Sequence, residues 1–374
     1  MLDRLKMITE LQNSKEYLFH NFYEEIEFAH TLWSKISHDP TCAVSIHSIK
    51  QPLLVPYWQG LLGQVITLEE QKQPYTVIAV DGSQIYYDKH QGPPCFLINI
   101  GFIQLWYGFA GKGIDYGTQP FLSVKFNEEN DFASPDFINM QRELYEFEYA
   151  LSLMNQTQLT MPNAPLFCLF DGSLIFFHLD TQNPDLKDGF LKKYCDVLEQ
   201  CFLKNMMIGA YMSLPRTKEL VNICKIYAQK DPDCHHQNFQ ALHRLTDVDI
   251  ANFYLKPGQR SIVFKSKAPI SYLYPVHLQP HFCYLHVGFE VVRLEFPSWI
   301  AASDEKVNQL CSVAFDQSNK GHGYPVCLFE AHEQAVIKAA DRDFFYQMIA
   351  QLSKKESKEY LISQKSMRKQ QPIV

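Results

Sequence analysis

Apolar residues recur at three- or four-residue steps, with one wider gap, through the first 38 positions. They are Leu2, Leu5, Ile8, Leu11, Leu18, Phe22, Ile26, Ala29 and Trp33, with Lys, Glu and Asn on the other face. This spacing predicts one long amphipathic helix over 1–38, free to cover a core or meet a partner. From 39 to 75 the pattern is broken by Pro40, Pro52, Pro56 and Pro74. At 76–80 the run TVIAV is short, apolar and β-branched, which predicts a buried strand ending in Asp81-Gly82-Ser83. Residues 85–87 and 95–107 predict two further strands. A helix is predicted over 135–155, where Phe137, Met140, Leu144, Phe147, Leu151 and Met154 share one face. LFCLF at 166–170 predicts a second buried strand, and it ends in Asp171-Gly172-Ser173. Further helices are predicted at 185–205, 216–229, 247–255, 303–316 and 328–353. Strands are predicted at 206–211, 261–264, 282–287 and 290–296. The domains expected are a helical extension over 1–75, an α/β domain over 76–353, and a basic, fraying tail over 354–374.

The order from 76 is three strands, then helix, strand, helix, strand, helix. A right-handed crossover would make the TVIAV and LFCLF strands parallel neighbours. Asp81 and Asp171 then stand side by side at the sheet edge where open α/β folds place ligands. Two carboxylates a few Å apart repel unless a cation lies between them. Oxygen donors favour Mg²⁺ or Mn²⁺, ions that activate water and stabilise charge on a phosphate. The glycine after each aspartate allows a sharp turn, and the serine can cap the segment that follows. Turn chemistry alone explains one such triplet; two, each directly after an apolar strand, point to a site.

Composition narrows the class. The 374 residues carry a net charge of −7, which excludes a uniformly basic nucleic-acid coat but not a local basic groove. Aromatic residues make up 14%, chiefly a core signal, with base stacking a second use. The 10 cysteines are scattered with no CxxC, so a zinc ribbon is not expected. Buried free thiols, the absence of a secretory pattern at the start, and no apolar run long enough to span a membrane point to the cytoplasm. Asp231, Asp233, His235 and His236 cluster in a polar loop and read as solvated rather than metal-binding.

In order along the chain, seven pieces resemble the NurA nucleases. They are VIAVDGS at 77–83, RELYEFEYAL at 142–151, LFCLFDGSL at 166–174, GAYMSLPRTKELV at 209–221, KPGQRSIVF at 256–264, VVRLEFPSWIA at 291–301 and YPVCLFEAHEQAVIKAADRDFF at 324–345. The resemblance implies a ribonuclease H-like mixed sheet flanked by helices, with an N-terminal helical extension and further C-terminal strands and helices. It implies a Mn²⁺- or Mg²⁺-dependent DNA nuclease that digests from 5′ ends and cuts single strands. It implies two-fold dimers working with a HerA-type hexameric ATPase on broken DNA ends, or against phage. The family's catalytic aspartates fall on Asp81 and Asp171. Its helix glutamate falls on Glu146, with Glu148 and then Glu143 as rivals. Its Tyr and His fall on Tyr324 and His332, the latter as metal ligand or phosphate contact.

Four cations are candidate DNA contacts. Arg216 and Lys218 precede a helix start, a place that suits phosphate. Arg260 and Arg293 lie in family-like segments, although Arg293 alternates with Glu295 and can instead pair with it. Two other classes compete. An actin-like ATPase or sugar kinase shares Asp-Gly phosphate loops but needs Gly-rich loops, and only 16 glycines are present. A non-catalytic DNA-binding subunit of the motor would not need Asp81, Asp171 and His332. No P-loop motif occurs, so an ATP-driven motor would be another chain.

Overall fold

The computed structural model describes residues 2–19, 22–48, 52–88, 90, 92–124, 134–230 and 242–356. In chain order the helices are α1 (Arg4–Asn13), α2 (Lys15–Leu18), α3 (Tyr23–Ile36), α4 (Cys42–His47), α5 (Pro135–Thr160), α6 (Pro184–Leu203), α7 (Glu219–Lys230), α8 (Asp247–Tyr254), α9 (Ser298–Ala301), α10 (Asp304–Lys320), α11 (Val326–Ala335) and α12 (Ala339–Lys355). The strands are β1 (Val65–Thr67), β2 (Tyr75–Ile85), β3 (Phe96–Tyr107), β4 (Ile114–Ser123), β5 (Leu166–Asp171), β6 (Met207–Met212), β7 (Gln259–Ser261), β8 (Phe264–Lys265), β9 (Pro280–His286) and β10 (Val291–Pro297). Contacts divide the chain into two compact units. One joins Met1–Gln64 to Pro215–Tyr254; the other joins Val65–Leu214 to the residues from Leu255 onward.

The first unit is helical. The apolar pattern over 1–38 is shared among three helices rather than one. Asp3 caps α1 through Leu5 and Lys6 N–H, 3.2 Å each, and α1 ends at Ser14. Only α3 uses its stripe for a core, burying Ala29, Leu32, Trp33 and Ile36, with Trp33 stacked on Tyr254 at 5.1 Å. Leu5, Ile8 and Leu11 of α1 stay exposed. The first turn of α7 is closed by the buried Asp247, whose carboxylate accepts from Glu219, Leu220 and Val221 N–H at 2.7–3.0 Å.

The second unit is a mixed sheet flanked by helices, ordered β1-β7-β9-β10-β6-β5-β2-β3-β4, with β8 also on β9. β2, β5 and β6 are parallel neighbours; the other pairs are antiparallel. The first six residues of β2 and five of β5 are buried, as expected of strands covered on both faces. Residues 85–87 do not make a separate strand, because β2 runs on to Ile85. The third strand of the meander is β4, an edge strand with no buried residue, so it lacks the alternation that reveals a half-buried strand. The helix expected over 328–353 is two helices. Val336 turns extended at ψ 121°, and Asp341 caps α12 through Lys338 N–H at 2.9 Å. No helix among the described residues is long and apolar enough to cross a membrane.

Candidate active site

The parallel pairing of β2 with β5 ends at Val80↔Phe170. Asp81 and Asp171 hold the next position on each strand, so their side chains leave the sheet side by side. Asp81 lies within β2, which continues paired to β3 alone, while β5 ends at Asp171. The two Asp-Gly-Ser triplets therefore differ. Gly172 turns the chain at φ +109°, as the turn reading requires. Gly82 stays in the strand, and its missing side chain makes room for α5. A Cβ there would stand 2.6 Å from Glu146 Oε1 and 2.7 Å from Arg142 Cγ. Ser173 accepts from Ile175 N–H at 2.9 Å, a local cap. Ser83 instead donates to the Ala335 carbonyl at the end of α11.

Glu146 is the glutamate that α5 turns over Gly82, next to Asp81; it is buried. Arg142, one helical turn earlier, donates to Glu146 Oε1 at 2.6 Å and to the Gly82 carbonyl at 3.4 Å. Burial raises Glu146 to about 8, against the pull of Arg142 and with the charge of Asp81 adding to the rise. Glu143 is raised by burial too, with His178 Nε2 3.6 Å from it. Glu148 is exposed on the outer face of α5. Asp171 is exposed as a residue, yet atoms packed around its carboxyl raise it. The Tyr324 hydroxyl opposes that rise and the charge of Asp81 reinforces it.

The Tyr324 hydroxyl faces Asp171 and favours its charged form, and the Tyr324 ring meets Tyr211 edge-on at 5.7 Å. His332, in the last turn of α11, places Nδ1 2.7 Å from Asp81 Oδ2. The helix reaches that position because Gly101, opposite Asp81 in β3, carries no side chain. A Cβ there would be 2.2 Å from Ala335 N. Asn99 holds the helix end from β3 through the Ala335 carbonyl at 2.9 Å.

Two candidate DNA contacts are corrected. Arg293 is fully buried, bonded to Glu295 Oε1 at 2.7 Å and stacked 3.5 Å over Phe282. Burial and pairing on one strand face won over a surface role. The other Glu295 oxygen accepts from Ser173 Oγ at 2.7 Å and Leu174 N–H at 2.8 Å, which fixes the loop after Asp171. Arg260 is likewise buried, against Asn308 at 2.7 Å, the Ser261 carbonyl and Asp304. Lys218 and Arg216 belong to the first unit, where Lys218 donates to the His243 carbonyl at 2.6 Å. The helix start they precede has its N–H groups filled by Asp247 rather than open to phosphate. Asp231, Asp233, His235 and His236 lie outside the described residues.

The sequence reading missed Arg142, Gly101 and Asn99, and it saw Glu295 only as a partner of Arg293, not as the acceptor that fixes the loop after Asp171. Arg142 precedes Glu146 by four residues, the helical pairing distance, and that was its one legible signal.

The donors suit a hard divalent cation: carboxylates crowded together, two of them raised. Asp81, Asp171 and Glu146, with His332 on Asp81, are the residues that would hold it. As placed, they are an aspartate pair with Glu146 held by Arg142. No three His, Cys, Asp or Glu side chains among the described residues already form a cage.

Fold and site thus define an α/β protein with a carboxylate-centred site where its parallel strand pairing ends. The NurA domain model matches residues 75–337, and the chain belongs to the NurA family. No curated protein matches it. Among solved structures, one described as NurA is 11% identical with a TM-score of 0.40, over 76% of this chain and 89% of that one. A NurA with manganese is 11% identical, TM-score 0.38, over 91% and 98%. A NurA bound to dAMP and manganese is 12% identical, TM-score 0.36, over 91% and 95%. The family assignment rests on the sequence match.

Proposed function

We propose that this chain is a cytoplasmic, Mn²⁺- or Mg²⁺-dependent deoxyribonuclease, acting as a 5′–3′ exonuclease and single-strand endonuclease. It works as a homodimer on DNA ends with a HerA-type hexameric ATPase, in repair or in defence against phage. One observation carries the reading: in a NurA-family chain, Asp81 and Asp171 share adjacent register positions, with His332 bonded to Asp81 and Glu146 set over the neighbouring Gly82.

A bound divalent ion would supply water activation and charge stabilisation at the phosphate. The protein's own groups do the positioning. Asp81 is held by Gly82 N–H at 2.8 Å and by His332. The Tyr324 hydroxyl faces Asp171 and favours its charged form. Arg142 keeps Glu146 aligned over Gly82. The net charge of −7 suits an enzyme fed by a motor rather than one relying on its own field for affinity.

The test is digestion of 5′- and 3′-labelled single- and double-stranded DNA with Mn²⁺, with and without the ATPase. Release of label from 5′ ends and internal cuts in single strands are expected. Nucleotide binding without DNA cleavage would reject the reading.

A further inference from the structure

Three exposed apolar side chains stand beside the site, and none holds a carboxylate. Phe289, Leu214 and Phe329 are 69, 65 and 52% exposed. Each is tied through the backbone to a site residue. Phe289 follows Gly288 in the β9–β10 turn, and its ring lies on the bare backbone of Gly323. A Cβ on Gly323 would stand 3.3 Å from Phe289 Cγ. Gly323 directly precedes Tyr324, whose hydroxyl faces Asp171. Leu214 lies three residues past Tyr211, the register partner of Asp171. It takes φ +41°, a left-handed conformation that leucine rarely adopts. Glu290, next to Phe289, holds it there, accepting from Ser213 Oγ at 2.8 and 3.0 Å and from Leu214 N–H at 3.2 Å. The turn and the loop are therefore one clamped unit. Phe329 precedes His332 by three residues on α11, which puts both on one side of the helix.

Strained backbone clusters at functional positions, and here it displays a large apolar side chain at the carboxylate edge. The occupant follows from the chemistry of the site. A phosphodiester at Asp81 and Asp171 brings its own bases to the surrounding surface. Paired bases keep their faces inside a duplex; unpaired bases offer flat apolar faces. Aromatic rings stack such faces whatever the sequence, and none of the three side chains has a polar group to read a base edge.

We propose that Phe289, Leu214 and Phe329 form a rim on which the unpaired bases flanking the cleaved phosphodiester stack. This rests on the nuclease reading.

The test is fluorescence anisotropy in EDTA with two labelled single strands, one carrying its bases and one abasic through the central nucleotides. Cleavage of the base-bearing strand with Mn²⁺ is followed in parallel. The wild type is expected to bind the base-bearing strand about tenfold more tightly. Phe289→Ala/Phe329→Ala should bind both strands equally, at the abasic level, and Phe289→Tyr/Phe329→Tyr should keep the preference. A wild type without preference, or an alanine variant that retains it, overturns the rim. If the wild type still cleaves in that case, only the rim falls. If it neither binds nor cleaves, the nuclease reading falls and takes the rim with it.

Discussion

Gly101 lies directly opposite Asp81 in the β2–β3 register, and helix α11 rests on it. The atoms a Cβ would strike there are backbone: Ala335 N at 2.2 Å and the Ala331 carbonyl oxygen at 2.7 Å. Neither can swing aside as a side-chain tip can. Gly101→Ala is therefore expected to lift α11, cost about 1–3 kcal/mol as overpacking does, and part His332 from Asp81. Thermal melting and cleavage rate should fall together. An unchanged melting temperature would show that the helix is not seated as described.

His332 should matter for cleavage in a way that an unrelated histidine does not. His332→Ala removes the imidazole held at 2.7 Å from Asp81 and is expected to lower the rate about a hundredfold, the scale of a positioned acid–base or ligand group. His277→Ala removes a half-exposed partner of Glu199 that also meets Phe202 and should leave the rate near wild type. Equal effects from the two would remove His332 from the site.

Glu146 makes stability depend on pH. Its folded pKa of about 8 lies above the ordinary value of 4.5, because burial disfavours its charged form. Between those values the folded state binds the extra proton, so stability falls as pH rises, by at most about 1.4 kcal/mol per pH unit. Below 4.5 the group is neutral in both states and costs nothing. Glu146→Gln should remove this slope. Denaturant unfolding in EDTA at pH 5, 6.5 and 8 should show the variant gaining on the wild type as pH rises. A constant difference would mean that Glu146 is not buried against Asp81.

Arg293 is expected to support the fold and not to bind DNA. Arg293→Met leaves Glu295 buried without its charged partner, a loss of about 3–5 kcal/mol for such pairs. The denaturation midpoint should drop clearly, while single-strand affinity of the folded fraction stays unchanged. The reverse pattern would return Arg293 to the nucleic-acid surface.

Residues whose role depends on local pattern were legible; those placed by packing were not. TVIAV and LFCLF announced two buried strands, and the crossover rule made them neighbours, so the Asp81/Asp171 pair could be read directly. Glu146 could not be separated from Glu143 and Glu148 by pattern, because all three lie in one helix and only its rotation over Gly82 distinguishes them. Gly101 and Asn99 lay within a largely apolar strand, and their function exists only through a helix more than 220 positions later. Arg260 and Arg293 carried a surface residue's charge into the core because Asn308 and the Ser261 carbonyl meet the first there and Glu295 the second. β4 was missed because its two faces are solvated alike.

The proposed activity requires the two aspartates to act with a metal. The direct measurement is cleavage of end-labelled single-stranded DNA in Mn²⁺ by the wild type, Asp81→Ala and Asp171→Ala, each shown folded by circular dichroism, with a parallel wild-type reaction in EDTA. Cleavage by the wild type alone, abolished by EDTA and by either substitution, is the expected result. Cleavage at the wild-type rate by either variant, or in EDTA, would contradict it.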